Sequence, residues 1–342
     1  MLTKIIAEDQ IQQAKSLLKK AKKVAILSHQ GPDGDAVGSS LAMADFLKQQ
    51  GKHVQVIFPD VFPEFLLWLP GSEKALLYAL QPKACESFLM SSDVVMCLDF
   101  NHLKRMGHLG EVVSQSPAKR ILIDHHPNPD NFADVSMSYP SVSSTCELVF
   151  RYICRSGSFD EMTKECAECV YTGMMTDTGA FTYNSNRAEM YFIVSELLNK
   201  GVDKDAIYNK VFNTWSADRM RLMGFVLNER MKLYPQYKTA IMYLTLDDLS
   251  GFQYQVGDTE GFVNLPLSIN DIVCSVFVRE DVDKVKMSFR SQGTFPVNQL
   301  AAKLFNGGGH LNAAGGEYHG TVEDALKILE DALPDFNIEA YK

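Results

Sequence analysis

Aspartate and histidine recur in this sequence in patterns that suit a metal centre. Ser28-His29-Gln30-Gly31-Pro32-Asp33-Gly34-Asp35 puts one imidazole and two carboxylates into a single short segment. Asp99 directly follows the apolar run Val94-Val95-Met96-Cys97-Leu98, and Asp124-His125-His126 follows Ile121-Leu122-Ile123. Asp177 lies in Met175-Thr176-Asp177-Thr178-Gly179, and no cysteine joins the set. Carboxylate oxygens with a few imidazoles suit Mn²⁺ or Mg²⁺, and the imidazoles favour Mn²⁺. The set exceeds what one octahedral ion uses once waters are counted. Two ions roughly 4 Å apart, sharing a bridging carboxylate, would absorb it. Such a pair acidifies water and stabilises in-line displacement at phosphorus. The chemistry indicated is metal-dependent hydrolysis of a phosphoester or phosphoanhydride.

These residues need a scaffold that delivers them together. Short apolar runs at 24–27, 54–58, 94–98 and 121–123 read as strands. Between the first two, Val37, Leu41, Ala44 and Leu47 form a helical stripe that stops at Gly51. Continuous apolar strands alternating with helices predict an α/β domain with a parallel sheet covered on both faces. His29, Asp99 and Asp124 then fall at the carboxyl ends of three strands, the edge where open α/β sheets bind ligands. The texture turns helical and more charged over 187–230. Beyond it come a strand at 239–246, a hairpin of 272–279 with 284–290, a helix over 297–305 ending at Asn306-Gly307, and a last helix from Thr321. The expected organisation is a catalytic domain over 1–186, a helical linker over 187–230 and a smaller mixed α/β domain over 231–342.

The second half holds the residues suited to reading a phosphate. Arg290 ends a hairpin strand, and His310 follows the Gly307-Gly308-Gly309 run, where backbone N–H groups can approach an anion. Ser143 and Ser144 precede a helical stretch and are expected to offer hydroxyls and N–H groups to phosphate.

Composition narrows the partners. The chain has 342 residues, 46% hydrophobic and 22% charged, which is ordinary globular usage and enough for two domains. Its 33 Lys and Arg against 42 Asp and Glu give a net charge of −9, which argues against coating long DNA or RNA. No apolar run reaches the roughly 20 residues of a membrane span. The first residues, MLTKIIAEDQIQQAKSLLKKAKK, read as an amphipathic helix and not a signal peptide. Seven cysteines scattered over the chain suit a reducing compartment, so a cytoplasmic location is expected.

In its motifs the sequence resembles the DHH phosphoesterase family, and within it the oligoribonucleases that also act as pAp phosphatases (the NrnA type). The matching pieces are His29-x-x-x-Asp33-x-Asp35, Leu98-Asp99, Asp124-His125-His126, Ser143-Ser144-Thr145, Thr176-Asp177-Thr178-Gly179 and Gly307-Gly308-Gly309-His310-x-x-Ala313-Ala314-Gly315. They occur in family order across essentially the whole chain. The resemblance implies a DHH domain, a linker and a C-terminal DHHA1 domain. It implies two Mn²⁺ ions, or Mg²⁺, one held by His29, Asp33, Asp99 and Asp177 and the other by Asp35, Asp99, His125 and Asp177. Asp124 would orient His125, and His126 would stand near the leaving group or the bridging water. Arg290, Gly308, Gly309, His310, Ser143 and Ser144 would hold substrate in a cleft. The implied substrates are short RNA oligonucleotides, cut to 5′-mononucleotides, and 3′-phosphoadenosine 5′-phosphate (pAp), converted to AMP. A homodimer is implied by resemblance alone. The alternatives are a cyclic- or linear-dinucleotide phosphodiesterase using the same metals and, from another class, a non-catalytic nucleotide sensor.

Other features read as structural. Cys166-x-x-Cys169 has no second pair to complete a zinc site and falls on a helical pattern. Arg105 reads as structural, and the Lys19-Lys20 and Lys22-Lys23 cluster as a solvated helix end. No Walker A or dinucleotide-binding glycine pattern follows a strand.

Overall fold

The computed structural model describes residues 3–336. The chain divides into two compact units, Met1–Thr214 and Trp215–Lys342.

The first unit is built on six parallel strands: β1 (Lys23–Leu27), β2 (His53–Phe58), β3 (Leu76–Leu77), β4 (Val94–Leu98), β5 (Lys119–Asp124) and β6 (Val135–Ser138). Their order across the sheet is β3-β2-β1-β4-β5-β6. Side chains alternate between two cores. Val24, Ile26, Val94, Met96, Ile121 and Ile123 enter one, while Ala25, Leu27, Val95, Cys97 and Leu122 enter the other. The first core is covered by α1 (Glu8–Lys20) and α2 (Gly34–Gln49). The second is covered by α3 (Pro82–Met90) and α4 (His108–Gln115). α5 (Thr145–Ser156), α6 (Lys164–Asp177), α7 (Ala188–Asn199) and α8 (Lys204–Phe212) add to the first core. This is the α/β architecture expected from the unbroken apolar strands, which must be buried on both faces. The strand order reverses between β1 and β4, so the chain leaves these neighbours in opposite directions and opens a crevice at their carboxyl ends.

The second unit carries α9 (Ala217–Glu229), β7 (Met231–Tyr234), β8 (Thr239–Leu244), α10 (Leu246–Ser250), β9 (Cys274–Glu280), β10 (Val285–Ser291), α11 (Val297–Phe305), β11 (Gly308–His310), β12 (Ala313–Tyr318) and α12 (Val322–Ala332). Its sheet order is β11-β12-β10-β9-β8-β7, with β8 and β9 parallel and the other pairs antiparallel. α11 and α12 pack on one face through Val297, Ala301, Phe305, Val322 and Leu329. α9 and α10 pack with Met242, Leu244 and Phe277 on the other.

The helical stretch over 187–230 is shared between the units. Met190, Ile193, Leu197, Ile207 and Val211 of α7 and α8 belong to the first core, whereas Leu222 and Val226 of α9 pack in the second unit. Helix α2 begins three residues before its apolar stripe, because the Asp33 carboxylate caps it by accepting from the N–H groups of Asp35 and Ala36. The glycine-rich segment over 313–318, which carries no strand signal of its own, is a full strand paired on both sides.

Candidate functional site

The crevice between β1 and β4 collects the expected aspartates and histidines. His29 stands just past β1, and Asp33 and Asp35 open α2. Asp99 directly follows β4 with a left-handed backbone, φ 67°. That conformation is tolerated best by glycine, asparagine and aspartate. Asp124 is the last residue of β5, His125 and His126 follow it, and Asp177 ends α6.

The side chains converge. His125 Nε2 lies 3.5 Å from Asp99 Oδ1, 3.6 Å from Asp177 Oδ2 and 3.8 Å from Asp35 Oδ2. His29 Nε2 lies 3.4 Å from Asp99 Oδ2. His29, Asp33 and Asp99 form one group, and Asp35, His125 and Asp177 another; within each, the candidate ligand atoms lie within 4.8 Å of one another. Octahedral donors about 2.1 Å from an ion stand roughly 3 Å apart when adjacent and roughly 4 Å apart when opposite. The observed spacings match that pattern better than they match hydrogen bonds.

Electrostatics point the same way. Burial first, then the charges of Asp99, Asp177 and Asp33, push the Asp35 carboxyl well above its usual range, although it accepts N–H bonds from Thr145 at 2.6 Å and Cys146 at 2.9 Å. Burial would also raise Asp99. There the contact with His29 and the charges of His126, His125 and His29 outweigh it and hold the carboxyl far below the usual range. Burial would lower His29 and His125, yet their carboxylate neighbours raise both.

His29 tests the fit of a cation most directly. Its Nδ1 lies 2.8 Å from the Gln30 carbonyl, which only accepts, so Nδ1 carries the proton. Nε2 is then a buried lone pair without a hydrogen-bond partner, facing a carboxylate oxygen. Only a proton or a cation between them relieves that opposition. The residues therefore fit a divalent metal with oxygen and imidazole donors.

The scaffold holds these groups by contacts that reach far along the chain. Thr145, the first residue of α5, donates its N–H to Asp35 and its hydroxyl to Asp99 Oδ1 at 2.9 Å. Helix α6 reaches α2 through glycines. A Cβ at Gly38 would stand 2.6 Å from the Cys169 carbonyl, and one at Gly173 would stand 2.9 Å from Asp35 Oδ1. His126 is bonded through Nδ1 to Asp124 Oδ1 at 2.7 Å and through Nε2 to Arg105 Nη1 at 3.0 Å.

Ser143 and Ser144 have a different task from the one expected. Both are buried. Ser144 caps α5 by accepting from the Glu147 N–H, and Ser143 gives its N–H and hydroxyl to Glu147 Oε2 at 3.0 and 2.8 Å. The N-terminus of α5 is filled by the Asp35 carboxylate, so the Ser-Ser-Thr segment organises carboxylates of the protein itself.

In the second unit, Arg290 and His310 stand in one row. Each is paired across its strand with Ala313, Arg290 from β10 and His310 from β11. Directly opposed residues share a sheet face, so the small Ala313 side chain separates an arginine from a histidine on one surface. Gly309 has a structural reason of its own: φ is +141°, and a Cβ would stand 2.5 Å from the Ala313 carbonyl. Gly308 faces open space.

The comparisons with known proteins agree with this geometry. Residues 23–174 match the DHH family, N-terminal domain, and residues 237–335 match the DHHA1 domain. A bifunctional oligoribonuclease and PAP phosphatase NrnA of Thermus thermophilus is 31% identical over 93% of this chain and 91% of its own. The chain belongs to the DHH family. An NrnA of Bacillus subtilis is 26% identical over 89% of this chain and 91% of its own. The crystal structure of an exopolyphosphatase-related protein from Bacteroides fragilis is 53% identical, covers 98% of both chains and has a TM-score of 0.94. DHH and DHHA1 proteins of this kind are phosphoesterases, and the chain is a hydrolase by family. No helix among the described residues is long and apolar enough to cross a membrane.

Three contributors to the DHH site escaped the sequence reading. Arg105 read as structural, yet it touches His126. Thr145 was part of a motif but had no assigned role. Gly173 carried no signal, since a glycine within a helical run does not announce which neighbour presses on it.

Proposed function

We propose that the chain is a two-metal phosphoesterase that hydrolyses short oligoribonucleotides to 5′-mononucleotides and removes the 3′-phosphate of pAp. The observation that carries this reading is the convergence of His29, Asp33, Asp99, Asp35, His125 and Asp177 into two adjoining groups at the β1–β4 crevice. His29, Asp33, Asp99 and Asp177 would hold one ion, and Asp35, Asp99, His125 and Asp177 the other, with Mn²⁺ preferred to Mg²⁺. Such ions supply Lewis-acid stabilisation at phosphorus and acidify water. The chain's own groups do the rest. Asp124 orients the His126 ring at the leaving-group side. Arg290 and His310, across Ala313, give a guanidinium and an imidazole donor for a phosphate. The names of the NrnA relatives support the two substrates.

A second reading, polyphosphate hydrolysis, has support in the name of the Bacteroides fragilis protein. A net charge of −9 makes a long polyanion a poor partner, which favours the short nucleotides. The test is a product assay on metal-stripped protein with Mn²⁺ or Mg²⁺ restored. The panel is pAp, a dinucleotide, a long RNA, a cyclic dinucleotide, pyrophosphate and polyphosphate. AMP from pAp and mononucleotides from the dinucleotide, only with metal and not from Asp177→Ala, is the expected result. Turnover of polyphosphate or the cyclic dinucleotide alone would overturn the substrate assignment. Nucleotide binding without turnover of any substrate would make the protein a sensor.

A further inference from the structure

Helix α6, which ends on Asp177, is closed by a left-handed turn longer than a helix end requires. The Gly179 N–H donates to the Thr176 carbonyl at 3.1 Å and the Ala180 N–H to the Met175 carbonyl at 2.8 Å, the two bonds of a Schellman cap. Such a cap needs one left-handed residue, and Gly179, at φ 53°, supplies it without a steric penalty. Here the run continues through two residues that carry a Cβ, Ala180 at φ 57° and Phe181 at φ 63°, and Asn184 follows at 49°. Left-handed residues with side chains normally occur singly. Local bonds support the turn: the Thr178 hydroxyl accepts from the Phe181 N–H at 3.1 Å, and the Ser185 hydroxyl donates to the Phe181 carbonyl at 2.8 Å. A strained turn persists only where its surroundings over-determine it.

The far end of this segment is tied to a buried group. Arg187 Nη2 lies 2.5 and 2.7 Å from the two oxygens of Glu147. Glu147 keeps other donors without it: the Ser143 N–H and hydroxyl on Oε2, and Arg151 Nε on Oε1 at 2.9 Å. Nor does the Arg187 side chain cap α7, which it precedes. What the contact fixes is the point where the segment after Asp177 meets α5, the helix whose Thr145 bonds Asp35 and Asp99. We propose that Arg187 is a positioning residue for the DHH site: its tie to Glu147 holds residues 179–186 in the left-handed turn that closes α6, and so keeps Asp177 in place against Asp35 and Asp99. The inference rests on the metal-dependent reading, but its first readout needs no metal.

The experiment follows amide hydrogen exchange over residues 178–186 in full-length, metal-free protein, and then Mn²⁺ binding by calorimetry. Arg187→Met, which keeps bulk but no charge, is expected to exchange about 10-fold faster in this segment than wild type, with α5 unchanged. It should also bind Mn²⁺ about 10-fold more weakly. Ala180→Gly removes one Cβ from the left-handed run. Added to Arg187→Met, it should move both quantities back toward wild type, because glycine holds that backbone freely. Ile193→Val, which trims a buried side chain of α7, is the control for general loosening and should move neither. Wild-type exchange and Mn²⁺ affinity in Arg187→Met overturn the proposal. So does a loss that Ala180→Gly leaves uncorrected, or one that Ile193→Val reproduces. Ala180→Gly alone should raise Tm, and a lowered Tm would overturn the proposal even if Arg187→Met does not fold. A wild type that binds no Mn²⁺ would sink the proposed function instead, and hydrogen exchange would still decide whether Arg187 holds the turn.

Discussion

Gly173 separates the stability of the DHH domain from the placement of its carboxylates. A Cβ at this position would stand 2.2 Å from Cys146 Sγ, 2.9 Å from Asp35 Oδ1 and 3.1 Å from Asp35 Cα. Ordinary contacts lie at about 3.5–4 Å, so Gly173→Ala must push the sulfur by more than about an ångström and Asp35 by several tenths. The substitution gains up to about 1 kcal/mol in helix propensity. It loses about 1–3 kcal/mol to overpacking. The net destabilisation, about 0–2 kcal/mol, lowers Tm by about 0–8 °C for a unit of this size. Catalysis should suffer more, because a misplacement of about 1 Å costs on the order of 10²-fold. Asp35 shifts by only part of that, so the expected result is a fall in kcat/KM on pAp of about 10-fold, with roughly 10²-fold as the upper bound, and a raised Mn²⁺ requirement, alongside a Tm no more than about 8 °C below wild type. Cys146→Ala in the same chain removes the nearest atom and leaves the Asp35 contact. Against Cys146→Ala alone in a double-mutant cycle, it should recover Tm and leave the Mn²⁺ requirement high. Wild-type activity at limiting Mn²⁺ in Gly173→Ala would refute the reasoning, and so would equal recovery of both quantities by Cys146→Ala.

Thr145→Val keeps the shape of the side chain and the backbone bonds to Asp35 but removes the donor to Asp99. It should weaken Mn²⁺ binding about 10- to 100-fold in calorimetry, and Thr145→Ser should restore it. Glu147 is buried. Burial alone would raise its carboxyl, but the Ser143 N–H, Arg151, Arg187 and the Ser143 hydroxyl hold it below its ordinary value of 4.5. A carboxyl lowered in the folded state stabilises fully above the unfolded value and loses that contribution as pH falls through the lowered native value. Acid titrations of stability should therefore show a loss starting near pH 4.5 that is smaller in Arg187→Ala, and an unchanged profile in that variant would disprove the link.

The convergence of these aspartates and histidines was legible because its signal is local. Metal-binding residue types stand out at once when they directly follow apolar strands, as Asp99 does after β4 and Asp124 to His126 do at the end of β5. The parallel sheet was legible for the same reason, since strands buried on both faces are written as unbroken apolar runs. β12 was not, because its glycines carry no strand preference. Gly316 is there for close approach, since a Cβ on it would stand 2.8 Å from Phe305 Cβ, and the Gly315 carbonyl lies 1.9 Å from where a Cβ on Gly307 before β11 would stand.

What holds these carboxylates was written elsewhere in the chain. Asp35 is bonded by the N–H groups of Thr145 and Cys146, and Asp99 by the hydroxyl of Thr145. From sequence, Ser143-Ser144-Thr145 before a helix reads as an anion site, and so it is. The anion is a carboxylate of the protein itself, brought there by a different strand and helix. A helix N-terminus stabilises negative charge whatever its source, so the motif alone cannot distinguish substrate phosphate from Asp35. The burial that raises Asp35 and the histidines that lower Asp99 have the same origin. The fold forces like charges together in one crevice and sets imidazoles against them. A cation relieves the first and competes with protons for the second. Metal binding at this centre should therefore release protons from His29 and His125 and weaken as the pH falls.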